Sequence, residues 1–494
     1  MPEQMPLTIP LPKVLNNVDY QRMETLLRRT SDLLVNSGVE DQMVQSAVRR
    51  KLEQLQSQEE LIFFNQLKFQ KAARQALRCN IARGLHQESY RSFTTHLAES
   101  RLLQWFCLVD CLDTIAVPAK STLQRFAQMY SPEEIQQVNA LLLSQAALPE
   151  GPLQLAEPIE LDTLFMDSTC VKANIHFPVD WVLLRDAART IIAGIECIRR
   201  HGLRHRIPAP ESLISTVNAH CIAMTQCYRK KDGKRLRKTI FRRLKKIVKL
   251  IASHGRRYIE WLEKQWSRTD WSQAQAKQVT DRMKNVLDQL PQAQRQANQR
   301  LIGKGPVPNN EKILSLYEPD VHVIARGKAG AAYEFGNGLL LAENPQGLLV
   351  HWEFFKESPP QDSSMVIPVI EKVEVLHDLE VKAVTGDRIF DTKANAQYLK
   401  DREIFNGLCD RGRAKRRGEL EKQAYLGMQR RRAQTEGRIG LFKNNFLGRP
   451  LRMKGFKSRE QAVAWAVLTH NMWVLARQPQ VEAESVSQAQ AEAA

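Results

Sequence analysis

Two short apolar runs, each leading to an aspartate and lying about 220 residues apart, constrain this chain more than any other feature. IELDTLFMDST, from Ile159 to Thr169, and VKAVTGD, from Val381 to Asp387, read as buried strands. Apolar stretches of this length, bounded by polar residues, leave little face for solvent. Each run presents its aspartate, Asp167 or Asp387, at a strand end. In open α/β sheets the carboxyl ends of strands are where ligands gather. Any fold for this chain therefore closes a sheet across a long intervening segment.

Most of that segment is helical. From about 181 to 300 apolar residues recur at helical spacing, as in WVLLRDAARTIIAGIECIRR and FRRLKKIVKLIASHGRRYIEWLEKQW. Strand signals then cluster in KILSLYEP, VHVIARGK, YEFGNGLLLAEN and GLLVHWEFFKE, separated by Gly- or Pro-bearing turns. Residues 363–379 read as a helix despite Pro368, and residues 17 to about 146 read as helices throughout. The pattern predicts an α/β protein: a mixed sheet flanked by helices, an all-α segment before it and a helical insertion within it. The expected boundaries are 1–150 for a helical DNA-binding domain, 151–185 with 310–478 for the sheet domain and 186–309 for the insertion. An Ala/Gln/Glu-rich tail, 479–494, is expected to be disordered.

Charge narrows the partners. Lysine and arginine number 72 against 54 acidic residues, a net charge of +18, which favours a polyanion and above all nucleic acid. Residues 229–257 concentrate the surplus: 14 cations against one acid, Asp232. Lys230, Lys231, Lys234, Arg235, Arg237, Lys238, Arg242, Arg243, Lys245 and Lys246 are its candidate phosphate contacts. A basic amphipathic helix also suits acidic lipid or a calmodulin-like partner. RGRAKRR at 411–417 either lines a DNA cleft or forms a solvated loop. No apolar run reaches the roughly 18 residues of a membrane span. The start lacks the pattern of a secretory signal, so a cytoplasmic, nucleoid-associated protein is expected.

Several smaller features have two readings. A helix ending at Cys111–Asp113, followed by KSTLQRFAQMY, fits a helix-turn-helix with Lys120, Gln124 and Arg125 toward DNA, or an ordinary helical hairpin. Cys107 and Cys111 stand one helical turn apart without a second pair, as buried thiols do. Trp352 and Trp266 suit base stacking or a core, and His176 a phosphate contact or none.

A third carboxylate, Glu436, lies in RRRAQTEGRIGLFKNNF, whose character is helical. Steps of four and seven residues put Arg432, Glu436 and Lys443 within roughly 40° of one another on a helix face. Three carboxylates from two strands and a helix form a donor set that hard Mg²⁺ accepts together with waters and phosphate oxygens. Two such ions about 3.5–4 Å apart carry phosphoryl transfer. Mn²⁺ suits the same donors. Arg432 and Lys443 would then position DNA phosphates. The plainer readings stand beside these: a turn or N-cap aspartate, Asp391 as ligand while Asp387 caps, and a surface ion pair for Glu436.

With these residues in place the chain resembles the DDE transposases of bacterial insertion sequences. FMDSTCVKANIHFP is similar to the first-aspartate segment, at Asp167. ARGKAGAAYEFGNGLLL, with Arg326, Gly327, Lys328, Glu334, Phe335 and Gly336, is similar to the strands that follow. VTGDRIFDTKAN resembles the second-aspartate segment, with Asp387 and the aromatic Phe390. Arg432, Glu436 and Lys443 fit the family's Tyr-Arg-Glu-Lys signature, with Gln429 in the tyrosine's place. The resemblance implies a ribonuclease-H-like catalytic domain and metal ligands Asp167, Asp387 and Glu436 for two Mg²⁺ ions. It also implies binding of terminal inverted repeats and target DNA, cleavage and strand transfer, and a homo-oligomer assembled on DNA. The alternatives are a related metal-dependent nuclease and an inactive, transposase-derived DNA-binding protein.

Overall fold

The computed structural model describes residues 11, 13–55, 58–109, 114–227, 230–303, 305–328, 331–409, 418–448 and 450–481. Eight helices come first. They are α1 (Val18–Asn36), α2 (Val39–Gln54), α3 (Gln58–Phe63), α4 (Gln66–Leu85), α5 (Tyr90–Glu99), α6 (Arg101–Phe106), α7 (Lys120–Ala127) and α8 (Pro132–Ala146). Helix α8 shows how local chemistry sets a boundary. Ser131 and Glu134 form a reciprocal capping box and Pro132 occupies the first turn, where its missing N–H costs nothing. Helix α6 stops at Phe106, short of the expected Cys111–Asp113, which lie outside the described residues.

Strand β1 (Thr163–Lys172) leads into the insertion: α9 (Asp180–Arg200), α10 (Pro210–Gln226), α11 (Gly233–Gln265) and α12 (Gln273–Asn298). The chain then returns through β2 (His322–Lys328), β3 (Ala331–Glu343), β4 (Leu349–Phe354), α13 (Val366–His377), β5 (Ala383–Gly386), α14 (Lys393–Asp401) and β6 (Phe405–Asn406). Pro368 sits in the first turn of α13, where no helical hydrogen bond is lost. Three helices follow: α15 (Glu419–Arg432), α16 (Thr435–Phe442) and α17 (Phe456–Leu475).

The strands make one mixed sheet. Long β3 pairs antiparallel with β2 along its first part and with β4 along its last. Its other edge pairs antiparallel with β1, which continues in parallel to β5 and then β6. Two expectations change here. KILSLYEP is not a strand, and β1 runs five residues past Asp167, which therefore lies mid-strand.

The hydrophobic cores do not follow the expected boundary near residue 150. Leu27, Leu77, Phe106 and Leu142 of the leading helices share one continuous core with Leu340, Val350, Ile370 and Val467. Helix α17 joins the two parts. Trp465 Nε1 donates to Ala127 O at 3.0 Å, and Asn471 Nδ2 donates to Asn139 Oδ1 at 2.8 Å and to Leu349 O at 2.9 Å. A helix buried nearly all round, as α17 is, belongs to a core rather than a surface. The insertion keeps its own core, built from Ile191, Ile195, Phe241, Leu244, Val248, Met283 and Leu287. Gly255 allows α11 to approach α9 closely, since a Cβ there would meet Ile191 Cγ2 at 2.6 Å.

The returning chain is locked to the sheet body by a buried ion pair. Arg459 of α17 is 0% exposed and pairs with Glu318, while its Nε donates to Asn337 Oδ1 at 3.1 Å. Glu318 also accepts from Gly455 N, at the start of α17. Removing one partner leaves an uncompensated buried charge, typically about 3–5 kcal/mol. Arg459→Met is accordingly expected to lose about that much in denaturant unfolding, and an unchanged midpoint would contradict the assigned burial. Among the described residues, no helix is long and apolar enough to cross a membrane.

Candidate functional site

The two aspartates are brought together by strand register. The parallel pairing of β1 with β5 matches Phe165 to Thr385 and Met166 to Gly386. The next step on each chain is Asp167 and Asp387. Strand β5 ends there, so Asp387 leaves the sheet edge-on, 53% exposed, while Asp167 stays paired with Leu341 of β3. Phe390 fixes the turn: it is fully buried, and a Cβ on Gly386 would meet its ring at 2.9 Å. Asp387 also caps the single turn Arg388–Phe390, accepting from Arg388 N at 2.6 Å. Capping and ligation therefore fall on the same side chain, and half-buried Asp391 lies four residues away.

Glu436 lies in the chain between two residues that anchor the helix layer to β1. Residues 165, 167 and 169 share one strand face, because side chains alternate. On that face Arg431 lies over the Phe165 ring at 4.5 Å, and Lys443 Nζ donates to Thr169 Oγ1 at 2.9 Å and to Cys170 O. Asp167 lies between these two anchors, and Glu436 lies between Arg431 and Lys443 in the chain. A second tie comes from buried Glu343, which accepts from Arg431 Nη1 at 2.9 Å and from Thr435 Oγ1 at 2.7 Å.

This arrangement revises the single stripe expected of Arg432, Glu436 and Lys443. The helix breaks at Ala433–Gln434, so Arg432 ends α15 while exposed Glu436 sits in the first turn of α16. Lys443 begins a wide turn, Lys443–Leu447, and is only 8% exposed. Its ammonium fastens the helix layer to β1, which corrects its assignment as a DNA phosphate contact. Arg432 reaches toward Asp387, Nη1 to Oδ1 at 3.9 Å, and its Nε donates to Gln429 Oε1 at 3.3 Å. Gln429, at the signature's tyrosine position, donates to Gly407 O at 2.6 Å and thereby ties α15 to the loop after β6.

Aromatic rings brace the turn that carries Lys443. His470 of α17 meets the Phe442 and Phe446 rings edge-on, at 5.7 and 5.3 Å. Burial pulls the His470 pKa down to about 4, Asn471 opposes this through a hydrogen bond, and Arg438 adds to it. The unfolded chain takes up this proton near pH 6.5 and the folded one only near 4. Stability is thus fully present above about 6.5 and is lost as pH falls toward 4, by about 3 kcal/mol. His470→Phe is expected to flatten that part of the stability profile relative to wild type in denaturant unfolding measured between pH 4 and 7.

Two of the carboxylates lie side by side on neighbouring strands and the third sits on the overlying helix layer. The three do not form a group with all donor atoms within 4.8 Å of one another.

Two basic surfaces flank this body. On α11 the apolar face packs into the insertion core, leaving Lys234, Arg235, Arg242, Arg243 and Lys246 exposed and Arg237, Lys238 and Lys245 half-buried. Lys230 and Lys231, just before it, are exposed too. On α7, Lys120, Gln124 and Arg125 face solvent. Gln124 and Arg125 line a groove of about 860 Å³ with Arg83, Lys454 and Lys457.

The remaining candidates divide. Trp352 is buried in the main core, Trp266 packs on the insertion core and His176 is exposed. RGRAKRR at 411–417 lies outside the described residues. The anchors Arg431, Glu343 and Thr435 had no signal in the sequence, because their partners are separated by about 90 residues. Compared with family models, curated proteins and solved structures, the chain finds no match.

Proposed function

We propose that the chain is a DNA transposase of the DDE type with a ribonuclease-H-like catalytic body. The parallel register of β1 and β5 carries the proposal, since it sets Asp167 beside Asp387 at the point where β5 ends. The strand order supports the fold assignment: three antiparallel strands β4, β3 and β1, continued by parallel β5 and β6. Glu436, in the first turn of α16 between the anchors Arg431 and Lys443, would complete a three-carboxylate set.

Asp167, Asp387 and Glu436 would hold two Mg²⁺ ions, or Mn²⁺. When bound, the ions activate a water or 3′-hydroxyl and stabilise the departing oxygen. The protein's own part is positioning. Lys443 and Arg431 hold the helix layer against β1, Gln429 orients Arg432, and Arg432 offers a guanidinium beside Asp387 for a DNA phosphate. Exposed cations of α11, and the groove beside α7, are the surfaces for terminal repeats and target DNA. Joining two ends calls for a homo-oligomer on DNA.

A strand-transfer assay tests this reading. Full-length protein, Mg²⁺ and DNA ends from the genomic flanks of its gene are expected to yield joined products with a target plasmid. Cleavage without joining would instead favour a nuclease, and neither product would leave a DNA-binding protein.

A further inference from the structure

Away from the carboxylate body, the connection between α4 and α5 gathers three metal-ligating side chains. His86 is the residue that ends α4, Glu88 lies in the turn and His96 sits in the last turn of α5. One donor atom from each comes within 4.8 Å of the other two, the only such group of His, Cys, Asp and Glu among the described residues. His96 Nδ1 and Glu88 Oε1 are 2.7 Å apart, and the two imidazoles meet edge-on with centroids at 5.1 Å.

A histidine–glutamate pair alone does not account for this arrangement. His86 Nε2 and Glu88 Oε2 are both shielded from solvent, and neither has a hydrogen-bond partner among the described residues. Buried polar atoms are nearly always satisfied, so two orphans within one group of converging ligand side chains point to a shared partner. The backbone is arranged to bring them together. Gln87 adopts a positive φ of 54°, which a non-glycine residue rarely takes, and Ser89 caps α5 by accepting from Ser92 N. Arg83 secures the same turn, donating to the Glu88 backbone carbonyl at 3.1 Å and lying over the Tyr90 ring at 4.5 Å. Its Nη1 thus serves the main chain, while its Nε is a third buried atom of this turn without a hydrogen-bond partner among the described residues.

We propose that His86, Glu88 and His96 form a Zn²⁺ site, with one coordination position left to water. Two imidazoles and one carboxylate are a donor set zinc takes with an open position, whereas Mg²⁺ prefers oxygen alone. At zinc's bond lengths, tetrahedral donors lie about 3.3 Å apart, so on binding His96 Nδ1 and Glu88 Oε1 part slightly from 2.7 Å and the third donor, within 4.8 Å of both, adjusts to the same spacing. The ion would pin the ends of α4 and α5 beside Arg83 and Tyr90, which line the basic groove against α7 and α17. This assignment does not depend on the transposase reading.

Full-length protein stripped of metal by chelation provides the test, with Co²⁺ as the spectroscopic probe and Zn²⁺ as competitor. Wild type is expected to give a visible d–d absorption band that saturates at one ion per chain and disappears on adding Zn²⁺. His86→Gln and His96→Gln should abolish the band. Glu88→Gln, which keeps the side chain's size and its contact with His96, should weaken Co²⁺ binding by about 100-fold or more. Asp167→Asn should retain the band, separating this site from the carboxylate one. Zn²⁺ should raise the melting midpoint of wild type but not of Glu88→Gln, a readout that holds if either histidine variant folds poorly. No band in wild type, or equal Co²⁺ binding by Glu88→Gln, would overturn the proposal.

Discussion

On the proposed function, Asp167→Asn, Asp387→Asn and Glu436→Gln are each expected to lower Mg²⁺-dependent DNA cleavage by about three orders of magnitude or more, with DNA affinity close to that of wild type. The size follows from the metal's contribution. Charge stabilisation by a bound ion is worth several kcal/mol, and each 1.36 kcal/mol is tenfold in rate. Selectivity for cleavage over binding follows from position, since Asp387 and Glu436 are exposed and neither belongs to a basic surface. Gel-based cleavage and fluorescence anisotropy, run on the same preparations, measure the two quantities. Cleavage by all three variants at the wild-type rate would sink the assignment. If only Asp387→Asn cut normally, Asp391 would be the better second ligand.

Replacing Lys234, Arg235, Arg242 and Lys246 together by glutamine should weaken DNA binding by roughly 10²–10³-fold at moderate salt. The slope of log affinity against log salt should fall by about 3–4, because each phosphate that is no longer neutralised takes about 0.9 from it. All four side chains are exposed, Arg235, Arg242 and Lys246 on the face opposite Phe241, Leu244 and Val248 and Lys234 in the first turn, so the insertion core should keep its stability. An unaltered slope would move the DNA to another surface, with the groove beside α7 next in order. A change in affinity without a change in slope would mean that the substitutions act on something other than phosphate binding.

What could be read from the sequence was whatever repeats locally. The apolar stripe of α11 shows its period directly, and the apolar runs at β1 and β5 announce buried strands. Where the reading failed, a partner distant in the chain had replaced the local signal. Lys312–Tyr317 alternates like a strand, yet the side chain of Gln296 supplies its hydrogen bonds, accepting from Ile313 N at 2.8 Å and donating to Ile313 O at 3.2 Å. Leu316 then packs into the insertion core. Strand β1 outlasts Asp167 because β3 pairs with it as far as Lys172, opposite Gly336. The helix around Glu436 breaks where Arg431 and Thr435 both reach for buried Glu343. Lys443 reads as a surface cation until the Thr169 hydroxyl and Cys170 carbonyl are found beneath it. The juxtaposed aspartates were legible as residues but not as neighbours, since register depends on both strands.

Sharing one core between the leading helices and α17 has a consequence for the chain as it leaves the ribosome. Helix α4 ends at Leu85 and α17 begins at Phe456, about 370 residues later. At ordinary synthesis rates the apolar faces of the first helices wait about 20–75 s for the helix that covers them. The insertion, whose core is its own, can close during that interval. Nascent chains of this protein are therefore expected to carry a folded insertion while the leading helices remain uncovered, and to be chaperone clients until α17 emerges.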